Sequence, residues 1–247
     1  MTLPNPFPAI TQQVVINTNT QFKAKRAGKN GTLIAIVLDE SGSMRPVQSA
    51  TISGLNEFIQ GQKAATNSGA AYVSLIKFDS PQIKSVFENR NILEVSSITE
   101  NDYQPNGGTN LLDAIGHTIN AVNAHLAKIK KSDRPGVIIT IMTDGEENSS
   151  RSFTNSMIKE MVKSCESKDW TFVFLGANID AFKVGSQMGF SSQNTVSYNT
   201  NNMVDTLAAV SSSAVRMRVG KLAGMSTAEI YGNGVFTDEE KSSMTKK

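Results

Sequence analysis

Six apolar residues, Leu33-Ile34-Ala35-Ile36-Val37-Leu38, run without interruption into Asp39-Glu40-Ser41-Gly42-Ser43-Met44. A run this short, rich in branched aliphatic side chains, predicts a strand buried on both faces, as in a parallel sheet covered by helices. The polar residues begin where such a strand leaves the sheet. Asp39, Ser41 and Ser43 alternate, so an extended or turning backbone aims them at one point, and Gly42 lets the turn tighten. Three small oxygen donors at one point suit a hard cation such as Mg²⁺. They do not suit zinc, whose sites favour His and Cys.

Two later stretches have the same character. Val137-Ile138-Ile139-Thr140-Ile141-Met142 is a second buried-strand run, and it ends in Thr143-Asp144-Gly145. Pro105-Asn106-Gly107-Gly108-Thr109-Asn110 is a turn-rich loop that opens into a helical pattern. In these residues the chain resembles the von Willebrand factor type A (VWA) domain with its metal-ion-dependent adhesion site (MIDAS). The family pattern is Asp-x-Ser-x-Ser, a distant loop threonine and a distant aspartate followed by glycine. Asp39, Ser41, Ser43, Thr109 and Asp144 match it, and the resemblance runs from about residue 32 to about residue 219.

The resemblance implies a Rossmann-like α/β fold, with a doubly wound, mostly parallel central sheet of about six strands flanked by helices. It implies one Mg²⁺ or Mn²⁺. Ser41 and Ser43 are then the constant ligands, Asp39 and Asp144 supply charge directly or through water, and Thr109 is the variable ligand. An open coordination position takes an Asp or Glu carboxylate from a protein partner, so the expected function is non-catalytic, metal-dependent protein–protein interaction. Glu40, Met44, Arg45, Asn106, Asn110 and Glu146 are expected at the partner-binding rim, with Tyr103, Glu147 and Asn148 beside them. Gly107-Gly108 permits a hinge that moves Thr109 in concert with the final helix. The compact Asp-Glu-Ser-Gly-Ser-Met motif resembles bacterial or phage members. Alternative settings are a phage virion, a tellurium-resistance-like stress complex and an assembly with an AAA+ ATPase.

Periodicity supports alternating strands and helices. Val47, Thr51, Leu55, Phe58, Ile59 and Gln62 form one helical stripe, with Pro46 suited to the first turn. Leu111, Ile115, Ile119, Val122, Leu126 and Ile129 form another, and Ile158, Met161, Val162 and Cys165 a third, capped by Ser152 or Thr154. Residues 71–78 and 170–175 read as strands. Residues 83–88 and 92–95 read as a third strand, or as a hairpin broken at Asn89-Arg90-Asn91. A short helix from Asp180, an edge strand at Thr195–Tyr198 and a helix through Met203, Leu207, Val210, Ala214 and Met217 follow. Residues 1–30, with a basic run at 23–29, are expected as an arm, residues 31–219 as the domain, and residues 220–247 as a tail with one helical turn from Thr237.

Several chemistries are disfavoured. With 24 Lys and Arg against 22 Asp and Glu, the net charge of +2 gives no electrostatic case for a nucleic-acid partner. One cysteine excludes an internal disulfide framework. Neither a signal peptide nor a membrane-spanning run is legible, so the expectation is a cytoplasmic protein, or a virion component if phage-encoded. A haloacid-dehalogenase-type phosphotransferase requires a second aspartate two positions after the first, and Ser41 stands there. His117 is expected to pair with Asp113 at the surface, and His125 to pack beside its helix stripe.

Overall fold

The computed structural model describes residues 29–80 and 82–246. Almost all of the expected arm lies outside the described residues. The centre of the fold is β1 (Gly31–Asp39), in which all nine residues are buried. Its alternation divides the core in two. Ile34, Ile36 and Leu38 join one cluster with Leu55, Phe58, Leu207 and Val210, while Leu33, Ala35 and Val37 join another with Ile115, Ile119, Ile158 and Val162. A strand apolar on both faces requires such a cover on each side.

The remaining strands are β2 (Ala70–Phe78), β3 (Ile83–Asn91), β4 (Gly136–Thr143), β5 (Trp170–Ala177) and β6 (Thr195–Tyr198). They form one sheet in the order β3-β2-β1-β4-β5-β6, parallel throughout except for β3, which runs antiparallel to β2. Helices α1 (Gln48–Ala64), α2 (Leu111–Ala127), α3 (Asn155–Glu166), α4 (Ala181–Gln187) and α5 (Met203–Leu222) connect or follow the strands. The strand order reverses between β1 and β4, and doubly wound sheets bind ligands at that switch, beyond the carboxyl ends of the strands.

Three local expectations need correction. Pro46 lies in a 3-10 turn, Gly42–Val47, and α1 begins only at Gln48. Asn89-Arg90-Asn91 does not break a hairpin. Asn89 takes a φ of 44°, β3 shifts register, and the strand continues until Asn91 lies opposite Tyr72. A bulge absorbs the irregularity that the sequence presents as a turn. Finally, the chain after Gly220 is more helical than expected: the turn from Thr237 is there and extends as α7 (Asp238–Thr245), and α6 (Thr227–Gly232) precedes it, each helix opened by a capping box, at Ser226 for α6 and Thr237 for α7. Ile230, Tyr231, Val235, Phe236 and Met244 are buried in the α1–α5 side of the core. Only scattered residues make these contacts, so no periodic stripe announces them. Among the described residues, no helix is long and apolar enough to cross a membrane.

Candidate metal centre

The parallel pairing of β1 with β4 sets Leu38 opposite Met142, which brings Asp39 and the residues after Met142 to the same end of two neighbouring strands. Asp39 is fully buried and Asp144 is 5% exposed. Asp39 Oδ1 accepts from the Ser41 N–H at 2.8 Å, so the chain turns back over the carboxylate. Ser41 Oγ and Ser43 Oγ then stand 3.0 Å apart, and Ser43 Oγ donates to Asp144 Oδ1 at 2.7 Å. Thr109 is buried, and a Cβ at Gly145 would stand 3.4 Å from its Oγ1 and 4.0 Å from Ser43 Oγ. The five motif residues therefore surround one point, contributed by three separate loops.

Residues that the sequence reading did not assign hold this arrangement. Thr143 Oγ1 donates to Asp39 Oδ2 at 2.6 Å and makes a second contact with the Gly145 carbonyl at 3.0 Å. Tyr103, expected at the rim, is buried, and its hydroxyl donates to the Asp39 carbonyl at 2.7 Å. Thr143 had a legible signal, a hydroxyl at the end of an apolar run directly before Asp-Gly. Tyr103 had none, because its position depends on a loop crossing 64 residues away in sequence.

The expected rim separates into two groups. Arg45, Asn106 and Glu146 are exposed, and Arg45 Nη2 donates to the Pro105 carbonyl at 3.2 Å. Glu40, Met44 and Asn110 are not at the rim. Met44 is fully buried in the core beside α1. Glu40 follows Asp39, so its side chain leaves in another direction, where it meets Lys77 Nζ at 2.8 Å and the Gln104 N–H. Asn110, 6% exposed, packs before α2. Glu147 and Asn148 border the site but are committed to backbone amides.

Burial raises the Asp39 carboxyl from 3.8 to about 6, against hydrogen bonds from Thr143 and Ser41, and Asp144 adds a smaller upward push. Burial also raises Asp144, with Ser43 opposing. Among the described residues no lysine or arginine forms an ion pair with either carboxylate, and Lys77 pairs with Glu40. Two desolvated carboxylates beside hydroxyls, with no side-chain cation paired to them among the described residues, are groups of the kind that suit a hard cation. Neighbouring ligands of octahedral Mg²⁺ at 2.0–2.1 Å stand about 2.9 Å apart. The Ser41–Ser43 and Ser43–Asp144 oxygen pairs, at 3.0 and 2.7 Å, are already close to that spacing. The set is all oxygen, and no group of three His, Cys, Asp or Glu suited to a metal occurs among the described residues.

The histidines and the cysteine lie elsewhere. His117 stacks edge-on against Phe153, with centroids 5.3 Å apart, and burial lowers its pKa while Asp113 opposes the shift. The Asp113 carboxylate itself accepts from the amides of Arg151, Ser152 and Phe153 rather than from a surface imidazole. His125 faces Asn89, and Cys165 is buried in the core.

The model of the von Willebrand factor type A domain matches residues 34–218. The chain belongs to this family. VWA domains are in general metal-dependent protein–protein interaction modules. A comparison with curated protein sequences finds no match. Among solved structures, proximal thread matrix protein 1 of the mussel byssus is similar, with 13% identity and a TM-score of 0.53, covering 78% of this chain and 48% of that one. A further form of that mussel protein has a zinc-occupied MIDAS motif. The pilus adhesin SpaC of Lactobacillus rhamnosus GG is similar at 14% identity and a TM-score of 0.59, covering 78% of this chain and 31% of SpaC. This VWA chain thus spans about half of the mussel protein and a third of the adhesin, and at these identities the likeness is one of fold.

Proposed function

We propose that this VWA domain carries an intact MIDAS and binds a protein partner through Mg²⁺ or Mn²⁺, without catalysing a reaction. The supporting observation is the set of oxygen-bearing side chains gathered at the β1–β4 switch point, with two buried carboxylates that no lysine or arginine pairs with among the described residues.

In this reading Ser41, Ser43 and Asp144 hold the ion, Asp39 orients Ser41 and adds charge, and Thr109 completes the set. The ion supplies an electrophilic position for an Asp or Glu carboxylate oxygen from the partner. Thr143 and Tyr103 keep Asp39 from rotating, through its Oδ2 and its main-chain carbonyl. Ser43 is the exposed member of the set, so the partner approaches from its side. The exposed Arg45, Asn106 and Glu146 form the surrounding surface available for selectivity. Nucleophilic turnover has no support in this arrangement, because Asp39 is fully buried and both of its oxygens are engaged.

The test is a Mn²⁺ titration followed by electron paramagnetic resonance, on the wild-type chain and on Asp39→Ala, with circular dichroism to monitor the fold. One site in the wild type and none in the variant is the expected result. Unchanged Mn²⁺ binding in Asp39→Ala refutes the assignment. Capture of acidic peptides in Mg²⁺, lost with EDTA, would extend it to the partner, and hydrolysis of p-nitrophenyl phosphate or ATP would refute the non-catalytic reading.

A further inference from the structure

Thr109 and Asp144 arrive from loops 35 residues apart in sequence, yet the backbone around them is tied into a single unit. The Thr109 N–H donates to Asn148 Oδ1 at 2.9 Å, and the Thr109 carbonyl accepts from the Asn148 N–H at 3.0 Å and the Ser149 N–H at 3.2 Å. Both main-chain polar groups of Thr109 are thus held by the loop that follows Asp144. Ser149 Oγ donates to the same Asn148 Oδ1, which fixes the amide. Gly108 lies so close that a Cβ there would meet Ser149 Oγ at 2.7 Å and Asn148 Oδ1 at 2.9 Å.

A second layer locks the clasp to α2. The Glu147 carboxylate accepts from the N–H groups of Ser149, Ser150 and Leu112 and from the Ser150 hydroxyl, at 2.6 to 2.9 Å. Asp113, one residue further along α2, accepts three amides from residues 151–153. These bonds satisfy the Leu112 N–H at the start of α2 and the N–H groups of the loop, and the Asp113 N–H donates to Ser150 Oγ at 3.0 Å. A hinge at Gly107-Gly108 that moved Thr109 away from the Asp144 loop would have to break the bonds of Thr109 to Asn148 and Ser149. Gly107 and Gly108 are also held on their other side, by Gly42 N–H at 3.1 Å and Ser80 N–H at 2.9 Å.

We propose that Asn148 is a positioning residue that sets Thr109 relative to Asp144, so that these two ligands face the β1 ligands as one body. The proposal rests on the MIDAS reading above. Asn148 suits the task because its amide oxygen accepts both the Thr109 N–H and the Ser149 hydroxyl.

The test has two arms. In the metal-free protein, hydrogen exchange at the Thr109 amide is compared in the wild type, Asn148→Ala and Asn148→Asp, with the β1 amides as a control for global stability. Protection at Thr109 should be lost in Asn148→Ala and kept in Asn148→Asp, which retains the acceptor, while β1 is unchanged. In the second arm, Mn²⁺ affinity should fall about tenfold to a hundredfold in Asn148→Ala, the range for partners of metal ligands. It should be retained in Asn148→Asp, and Asn148→Ala should cost nothing further in a Thr109→Ala background. Equal loss in both backgrounds, failed rescue by aspartate, or retained Thr109 protection in Asn148→Ala overturns the proposal. If the wild type binds no Mn²⁺, the functional reading fails, and the exchange arm still decides whether Asn148 holds Thr109.

Discussion

The buried carboxylate of Asp39 ought to make the metal-free domain less stable at neutral pH than a neutral counterpart. Asp39→Asn is the suitable perturbation. The amide oxygen still accepts from the Ser41 N–H, and the amide nitrogen faces Thr143 Oγ1, which already has a second acceptor in the Gly145 carbonyl. Burial lifts the Asp39 carboxyl from 3.8 to about 6. Because the folded value is the higher one, protonation favours the fold; the stabilisation is complete below 3.8 and is lost as pH rises through about 6. At pH 7.5 that difference amounts to about 3 kcal/mol against the ionised fold. At pH 4.5 the folded carboxyl is mostly protonated and the unfolded one mostly ionised, which leaves a cost of about 1 kcal/mol. The hydrogen bonds from Thr143 and Ser41 and the charge of Asp144 act on the Asp39 carboxylate and are already contained in that shift from 3.8 to about 6. Urea unfolding in EDTA should therefore find Asp39→Asn more stable than the wild type at pH 7.5, with the advantage shrinking by about 2 kcal/mol at pH 4.5. Added Mg²⁺ at pH 7.5 should reverse the order by stabilising only the wild type. A wild type as stable as the variant in EDTA at pH 7.5, or a gap that does not narrow on acidification, would refute the reasoning.

Two other substitutions test the surrounding architecture. Gly107 has a φ of +67° and backs onto the Ser80 main chain, so Gly107→Ala should cost about 1–3 kcal/mol in urea unfolding, with Mn²⁺ affinity falling in parallel. The Tyr231 hydroxyl accepts from the Phe172 N–H at 2.9 Å and from Asn194 Nδ2 at 3.0 Å, both buried. Tyr231→Phe should lose about 1–3 kcal/mol through those orphaned donors, whereas an unchanged unfolding midpoint would mean that the hydroxyl's bonds contribute nothing to stability.

The legible parts of this protein are those that repeat locally. Leu33 to Leu38 announced a central strand because a strand covered on both sides must be apolar at every position. The stripes of α1, α2 and α3 announced which helix faces are buried, and Thr154 does cap α3 through the Met157 N–H. Less was legible where one contact replaces a pattern. The α6–α7 segment buries Tyr231, Phe236 and Met244 from short elements whose spacing carries no period. Asn89 resembled a turn and occupies a bulge. Met44 and Glu40 sit within the motif and point away from its centre, into the core and toward Lys77, because neighbouring residues of one turn diverge.

By itself the sequence named the candidate donors, two carboxylates and three hydroxyls at strand ends and a loop, and the α/β alternation that brings strand ends to one edge. Only the tertiary structure decided which groups hold those donors in place. Thr143 reaches Asp39 across the β1–β4 pairing, Tyr103 meets the Asp39 carbonyl from a distant loop, and Asn148 grips both polar groups of the Thr109 backbone. The physical reason is range. A donor's chemistry is written in its own side chain, whereas its orientation is set by partners 39 to 104 residues away, which only the closed sheet brings within hydrogen-bonding distance.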